Sequence, residues 1–79
     1  KLKMRKDWDV VKIDIMRELL LHKFSYSEFA EKLLNTEDVE LIEGNWWGDR
    51  FWGVCSGVGQ NHLGKLLMEV RSKIAKGEP

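Results

Sequence analysis

One stretch, residues 44–71, constrains the fold of this chain more than any other. It contains three of the four tryptophans, the only cysteine and six of the seven glycines. Tryptophan brings a large apolar area that is usually buried, and glycine is costly to order unless the backbone requires it. A loop rich in both residues that leads directly into a helix predicts one wall of a ligand pocket, with the opposite wall supplied from outside this chain.

Length and charge limit the class of protein. A chain of 79 residues forms one small domain at most, here residues 1–79. Its 13 Lys and Arg residues balance 13 Asp and Glu residues, and this zero net charge argues against broad electrostatic binding to a nucleic-acid backbone. The first residue is not Met and a charged helical pattern begins at once, which suggests a fragment or a processed chain.

The cysteine and histidine content predicts no cofactor. The single Cys55 cannot form an internal disulfide, and with the two histidines it lacks the spacing of a metal site. No apolar run approaches the ~20 residues that a membrane span needs, and no signal peptide is visible. We therefore expect no metal, no membrane partner and a reduced, cytoplasmic compartment.

Apolar periodicity predicts a mainly α (α+β) domain, with three helices and a short two-stranded β element before the last helix. Residues 1–6 are expected to be loose, and Asp7 is expected to cap a first helix over residues 8–23. The apolar surface of this helix is wide, which predicts that it is covered on more than one side.

The remaining elements follow from capping and turn signals. Ser25 or Ser27 starts a second helix that ends near residue 35, and Ser25 has capping-box spacing to Glu28. Two short strands are predicted over residues 39–42 and 51–55.

The last helix is predicted over residues 62–76, with Asn61 at its N-cap and Gly77 after its end. Gly64 and Arg71 share a flank beside its core stripe. A glycine inside a helix costs about 1 kcal/mol relative to alanine, and helix packing or the close approach of a ligand would explain Gly64 equally well. Asn61 and the free N–H groups of the first turn form a natural anion site.

Four other side chains could carry chemistry. Asp49 and Trp52 can converge if the chain makes a tight turn, although core packing would also explain Trp52. Glu43, which follows a predicted strand, suits a general acid or base or a simple ion pair. Lys23 at the end of the first helix is stabilised by the helix dipole.

The adjacent Trp46 and Trp47 point opposite ways in extended chain, so at least one of them is expected to meet a ligand or another segment.

Taken together, the motifs resemble those of the NADAR (YbiA-like) family over nearly the whole chain. They are Trp8-Asp9 with Met16, Lys23-Phe24, Leu34-Asn35-Thr36, Leu41-Ile42-Glu43, Asp49 with Trp52-Gly53, the run from Gly59 to Gly64, and Leu67-Met68 with Arg71. The resemblance covers the C-terminal half of the family domain only. The family's N-terminal half carries an Asn-Phe segment and a Glu-His motif whose Glu is regarded as catalytically important, and neither is present here.

The resemblance implies cleavage of an N-glycosidic bond. One branch of the family hydrolyses phosphorylated ribosylamino-pyrimidine intermediates of riboflavin biosynthesis. Another removes ADP-ribose from guanine bases and is linked to NAD metabolism and phage defence. The expected ligand is accordingly a nucleotide or ADP-ribose-type molecule, or an ADP-ribosylated nucleic-acid base. Without the N-terminal half, the chain could instead be a binding module that does not hydrolyse, or an interaction fragment that docks on a chain carrying that half.

The resemblance also implies roles for eight residues. Asp49 and Glu43 are expected to be catalytic, by binding ribose hydroxyls or stabilising an oxocarbenium-like transition state. The substrate-binding candidates are Trp8, Lys23, Trp52, Asn61, Gly64 and Arg71. Among these, the two tryptophans would stack on a base, and Arg71 with Asn61 would hold phosphate.

Overall fold

The computed structural model describes residues 2–77 and confirms the predicted class. The helices are α1 (Leu2–Lys23), α2 (Ser27–Leu34) and α3 (His62–Ala75), and the strands are β1 (Gly44–Asn45) and β2 (Val54–Cys55). The two strands therefore precede the last helix, as expected. None of the helices within residues 2–77 is long and apolar enough to cross a membrane.

The first helix begins earlier than predicted. Residues 2–6 belong to α1 rather than to a loose leader, so that expectation is wrong for them, and Lys1 lies outside the described residues. Asp7 is consequently inside the helix and not at its cap. Lys, Leu, Met and Arg are all good helix formers, which explains why the helix continues through this charged segment.

The second helix begins at the later of the two predicted positions. Tyr26 occupies its N-cap position and Ser27 its first helical position. The capping box is wrong, because the hydroxyl of Ser25 donates to the carbonyl of His22 at 2.6 Å and so completes the end of α1.

The second strand lies within the predicted residues 51–55, whereas the first lies at residues 44–45 and not at 39–42. Gly44 pairs with Val54 and Asn45 with Cys55 in parallel. The expected strand over residues 39–42 does not form. Its backbone groups are taken by a side chain, since Asn61 bonds the carbonyl of Leu41 and the N–H of Glu43.

The three helices meet in a small core formed by Leu20 of α1, Leu33 of α2, and Leu66 and Val70 of α3. Arg17 adds a polar link between α1 and α3. Its Nε donates to Glu69 Oε2 at 2.7 Å, and this hydrogen bond raises the pKa of Arg17. Both side chains of the pair are about one-third exposed, so the link contributes at most about 1 kcal/mol.

Cover on more than one side of α1 is not found within the described chain. One side packs on the core through Leu20, whereas Trp8, Val11, Ile15 and Leu19 remain exposed on α1.

Candidate functional site

The start of α3 is held by the side chain of Asn61. Asn61 has a left-handed backbone (φ 54°) and is 7% exposed. Its Oδ1 accepts from the N–H of Glu43, and its Nδ2 donates to the carbonyl of Leu41, both at 2.9 Å. Asn61 thus occupies the predicted N-cap position, but its side chain fixes a segment 20 residues away instead of capping the helix.

The first turn of α3 is also engaged with the preceding loop. The N–H of His62 donates to the carbonyl of Phe51 at 3.1 Å, and that of Leu63 donates to the carbonyl of Trp52 at 2.9 Å. The expectation that the first turn offers free N–H groups to an anion is therefore wrong for these two amides. Their partners come from the segment that connects β1 to β2.

Gly64 is needed for packing of the chain on itself. A Cβ at this position would overlap the carbonyl oxygen of Leu41 and the side chain of Asn61. The structure therefore favours packing over the approach of a ligand as the reason for this glycine. Gly53 has the same role, because a Cβ there would overlap the carbonyl oxygen of Glu43.

Asp49 and Trp52 do converge in a tight turn. Asp49 Oδ1 accepts from the N–H groups of Phe51 at 3.1 Å and Trp52 at 2.9 Å. Asn45 brackets the turn, since its side chain bonds both the N–H and the carbonyl of Asp49. The ring of Trp52 is half-buried against the core and lies edge-on to Phe51, with 4.8 Å between centroids. Core packing therefore accounts for much of Trp52.

Lys23 and Glu43 line one cavity of about 350 Å³, which we call the Lys23–Glu43 cavity. Its walls come from the end of α1, from α2 and from residues 41–43. The remaining lining residues are Phe24, Phe29, Lys32, Leu33, Thr36, Leu41, Ile42 and Leu67. Lys23 Nζ lies 5.3 Å from the ring centroid of Phe29 and 5.6 Å from that of Phe24. An apolar pocket with a few convergent charged groups is the usual form of a small-molecule site.

Arg71 is 9% exposed and does not itself line this cavity, although it contacts Thr36 in the cavity wall. Its Nη1 donates to the hydroxyl of Thr36 and to the carbonyl of Val39, both at 2.8 Å. A second cavity of about 320 Å³ adjoins it and includes Glu37 and Asp38 in its lining. The acidic Glu37 and Asp38 offset the positive charges of Arg71 and Lys76 in this lining, and the Arg71 guanidinium already donates to Thr36 and Val39, so the cavity shows no excess of positive charge for phosphate.

Trp8 is far from the Lys23–Glu43 cavity. It precedes Lys23 by 15 residues on the same helix, which corresponds to about 22 Å along the axis. Its side chain is 55% exposed. Trp46 and Trp47 are also exposed, at 87% and 65%, and contact each other edge-on.

The structure thus sorts the eight predicted residues into groups. Lys23 and Glu43 share a cavity, Asn61 and Gly64 support the segment that carries Glu43, and Asp49 and Trp52 form the adjacent turn. Arg71 touches the cavity wall only through Thr36, and Trp8 lies elsewhere. Ligand binding or catalysis by any of the eight stays a prediction.

Sequence reasoning missed Phe29, Lys32 and Thr36 in the cavity wall. Phe29 and Lys32 stand three residues apart on α2, a spacing that places them on one helix face. This was the available signal for them.

A cluster around His62 links α1 to the loop. The Phe51 ring lies 4.6 Å from that of His62, and Lys12 Nζ lies 3.8 Å from the Phe51 centroid. Burial, and then the positive charge of Lys65, lower the pKa of His62 below its usual 6.5. Across residues 2–77, no group of three His, Cys, Asp or Glu side chains is placed to hold a metal ion.

This half-domain, with its charged, apolar-walled cavity, belongs to a known class. Residues 1–75 match the model of the NADAR domain, and the chain is a member of the NADAR domain family. It matches the C-terminal part of that domain. No solved structure matches the chain significantly.

Several curated relatives are similar over most of the chain. N-glycosidase Npun_R5314 of Nostoc punctiforme is 49% identical over 90% of this chain and 46% of its own length. N-glycosidase YbiA of Escherichia coli is 40% identical over 91% of this chain and 46% of its own. Riboflavin biosynthesis protein PYRR of Zea mays is 42% identical over 90% of this chain and 12% of its own. The chain thus spans about half the length of the two N-glycosidases.

Proposed function

We propose that this chain supplies the C-terminal part of an N-glycosidase domain that hydrolyses the N-glycosidic bond of a phosphorylated ribosyl-base. The observation that carries the proposal is the meeting of Lys23 and Glu43 in one apolar-walled cavity. Both residues belong to the motifs that resemble the family. The names of the Nostoc and E. coli relatives supply the reaction class.

The cavity offers the interactions that such a ligand needs. Lys23 would bind the phosphate, and the Phe24 and Phe29 rings beside its ammonium would contact the base. The Glu43 carboxylate would bind the ribose hydroxyls or stabilise positive charge that develops on the sugar. Asp49 does not line this cavity, and its Oδ1 accepts two backbone hydrogen bonds in the neighbouring turn, so a catalytic role for Asp49 stays a prediction.

Asn61 would act as a positioning residue for Glu43. It fixes the backbone on both sides of the segment that carries this carboxylate. Gly64 allows that segment to cross α3 closely. A carboxylate on a rigidly held backbone is better placed to stabilise a transition state than one on a free loop.

The name of the maize relative, riboflavin biosynthesis protein PYRR, favours a ribosylamino-pyrimidine phosphate over an ADP-ribosylated guanine as the substrate. The cavity volume does not discriminate between the two, because the N-terminal part of the domain would complete the site.

The test joins this chain to the N-terminal part of the Nostoc relative. Release of free base from a ribosylamino-pyrimidine phosphate and from an ADP-ribosylated guanosine is followed by chromatography. We expect turnover of at least one substrate by the joined protein and slower or no turnover by the isolated chain, because the resemblance places the water-activating Glu in the N-terminal half. A folded joined protein that cleaves neither substrate would overturn the enzymatic proposal.

A second candidate is a module that binds the same ligand without hydrolysing it. It is favoured by the cavity lining within residues 2–77, which includes one carboxylate, Glu43, whereas glycoside hydrolysis uses a pair. Calorimetric titration of the isolated chain with ADP-ribose and with ribose 5-phosphate separates the candidates, since binding without turnover supports the module.

The proposed compartment is the cytoplasm for both candidate functions. Cys55 is buried and unpaired, and a reducing environment maintains that state.

A further inference from the structure

One face of α1 carries an apolar stripe that no other part of residues 2–77 covers. We call it the α1 stripe, and it consists of Trp8, Val11, Ile15 and Leu19, which are 55%, 42%, 49% and 59% exposed. At 100° per residue these four positions lie within an arc of about 80° around the helix axis and extend about 16 Å along it. A contiguous apolar surface of this kind marks an interaction site.

The stripe is separate from the face that builds the core. Ile13, Met16 and Leu20 pack toward α3, and their mean direction lies about 130° around the helix from that of the stripe. A surface helix normally carries one apolar stripe, whereas a helix between two layers carries two. The pattern of α1 is therefore that of a helix in the middle of a larger domain.

The comparisons favour one occupant for this face. The chain matches the C-terminal part of the NADAR domain and spans 46% of the N-glycosidase relatives. We propose that the α1 stripe is the docking face for the N-terminal part of a NADAR domain when that part is covalently joined to this chain. This proposal rests on family membership and not on the proposed glycosidase activity.

A second copy of this chain fits the stripe less well. A stable dimer buries about 800 Å² on each partner, and four side chains that are about half exposed supply only a fraction of that area. Two parts of one domain need less area, because a covalent link gives them a high effective concentration.

The position of the stripe connects it to the cavity. Leu19, its last member, lies one helical turn before Lys23 on α1. A segment that packs along the stripe therefore reaches the edge of the Lys23–Glu43 cavity. In this arrangement Trp8 holds the two halves together and does not stack on the ligand.

The test measures thiol accessibility. Ile15→Cys places a thiol on the stripe, and Val10→Cys is the matched control because Val10 is 61% exposed on the same helix but lies off the stripe. Native Cys55 is buried, so its background labelling is slow. Each variant is labelled with a maleimide in the isolated chain and in the chain joined to the N-terminal part of the Nostoc relative.

We expect the Ile15→Cys thiol to react at least about tenfold more slowly in the joined protein than in the isolated chain, since about 1.4 kcal/mol of local protection suffices for that factor. The Val10→Cys thiol should react at the same rate in both proteins. Equal labelling of Ile15→Cys in the two proteins overturns the proposal. Slow labelling in the isolated chain that depends on its concentration also overturns it, because a second copy would then cover the stripe. Neither readout requires enzymatic activity, so loss of the proposed function leaves this test intact.

Discussion

Substitution of Asn61 should destabilise the chain strongly although the residue lies in a loop. The change to make is Asn61→Gly, because glycine adopts the left-handed backbone of Asn61 without strain. It removes the hydrogen bonds to Glu43 N–H and Leu41 C=O, and it adds the smaller cost of the backbone entropy that glycine has in the unfolded chain, about 0.4–1 kcal/mol. Asn61→Ala adds the cost of a left-handed non-glycine residue.

The magnitude follows from the two lost bonds. A buried donor or acceptor left without a partner costs about 1–3 kcal/mol, and both groups are only part-buried, so we expect about 2–4 kcal/mol for Asn61→Gly. Asn61→Ala should cost about 1 kcal/mol more. A 79-residue domain has a total stability of roughly 4–12 kcal/mol, so either change removes a large part of it.

Urea unfolding followed by circular dichroism at 222 nm measures the effect. Lys65→Ala is the control, because Lys65 is exposed in the first turn of the same helix and should change the free energy of unfolding by less than about 0.5 kcal/mol. The melting temperature of Asn61→Gly should fall by roughly 10–25 °C. If Asn61→Gly stays within about 0.5 kcal/mol of wild type, the role assigned to this side chain is wrong.

Three further predictions test the same architecture. Arg71→Ala should lower the free energy of unfolding by about 2–4 kcal/mol, since it leaves the carbonyl of Val39 and the hydroxyl of Thr36 without their buried partner. A melting temperature equal to that of wild type would show that Arg71 is free to bind a ligand. Gly64→Ala should destabilise by more than about 2 kcal/mol in the same urea assay, because its Cβ meets backbone, whereas a neutral result would leave room for a ligand there. The pKa of His62 is lowered in the folded chain, so the unfolded chain binds a proton at His62 more readily, and the free energy of unfolding should fall as the pH drops below about 6.5. His62→Gln should flatten this dependence of the free energy of unfolding on pH. The same pH dependence in His62→Gln as in wild type would contradict the lowered pKa.

The helices could be read from the sequence because their signals are local. Apolar spacing of three and four residues located α1, α2 and α3, with errors mainly at the start of α1, where good helix formers extend the helix to Leu2. The strands were harder to place. Residues 39–42 have strand composition, but the side chain of Asn61, about 20 residues later, takes the hydrogen bonds that a strand partner would need.

In the candidate site, too, local sequence signals identified individual residues but not the contacts between residues far apart in the chain. The motifs identified Lys23 and Glu43, and their meeting in one cavity needed the fold, since 20 residues separate them. Gly64 could not be interpreted from spacing alone, because the group that it accommodates is the carbonyl of Leu41. Arg71 was expected to hold phosphate, and only the structure shows its contacts with Thr36 and Val39.

We propose that the Lys23–Glu43 cavity is the ligand site of an N-glycosidase domain. Its most direct test is kcat/KM for a ribosylamino-pyrimidine phosphate, measured on the chain joined to the N-terminal part of the Nostoc relative. Lys23→Gln and Glu43→Gln should each lower kcat/KM by about tenfold or more, since a hydrogen bond to a charged group contributes about 1.5–3 kcal/mol, while Lys65→Gln on the exposed side of α3 should leave it unchanged. If both cavity variants remain folded and keep kcat/KM within about twofold of the parent, the ligand binds elsewhere. That result would contradict the assignment of the Lys23–Glu43 cavity as the ligand site.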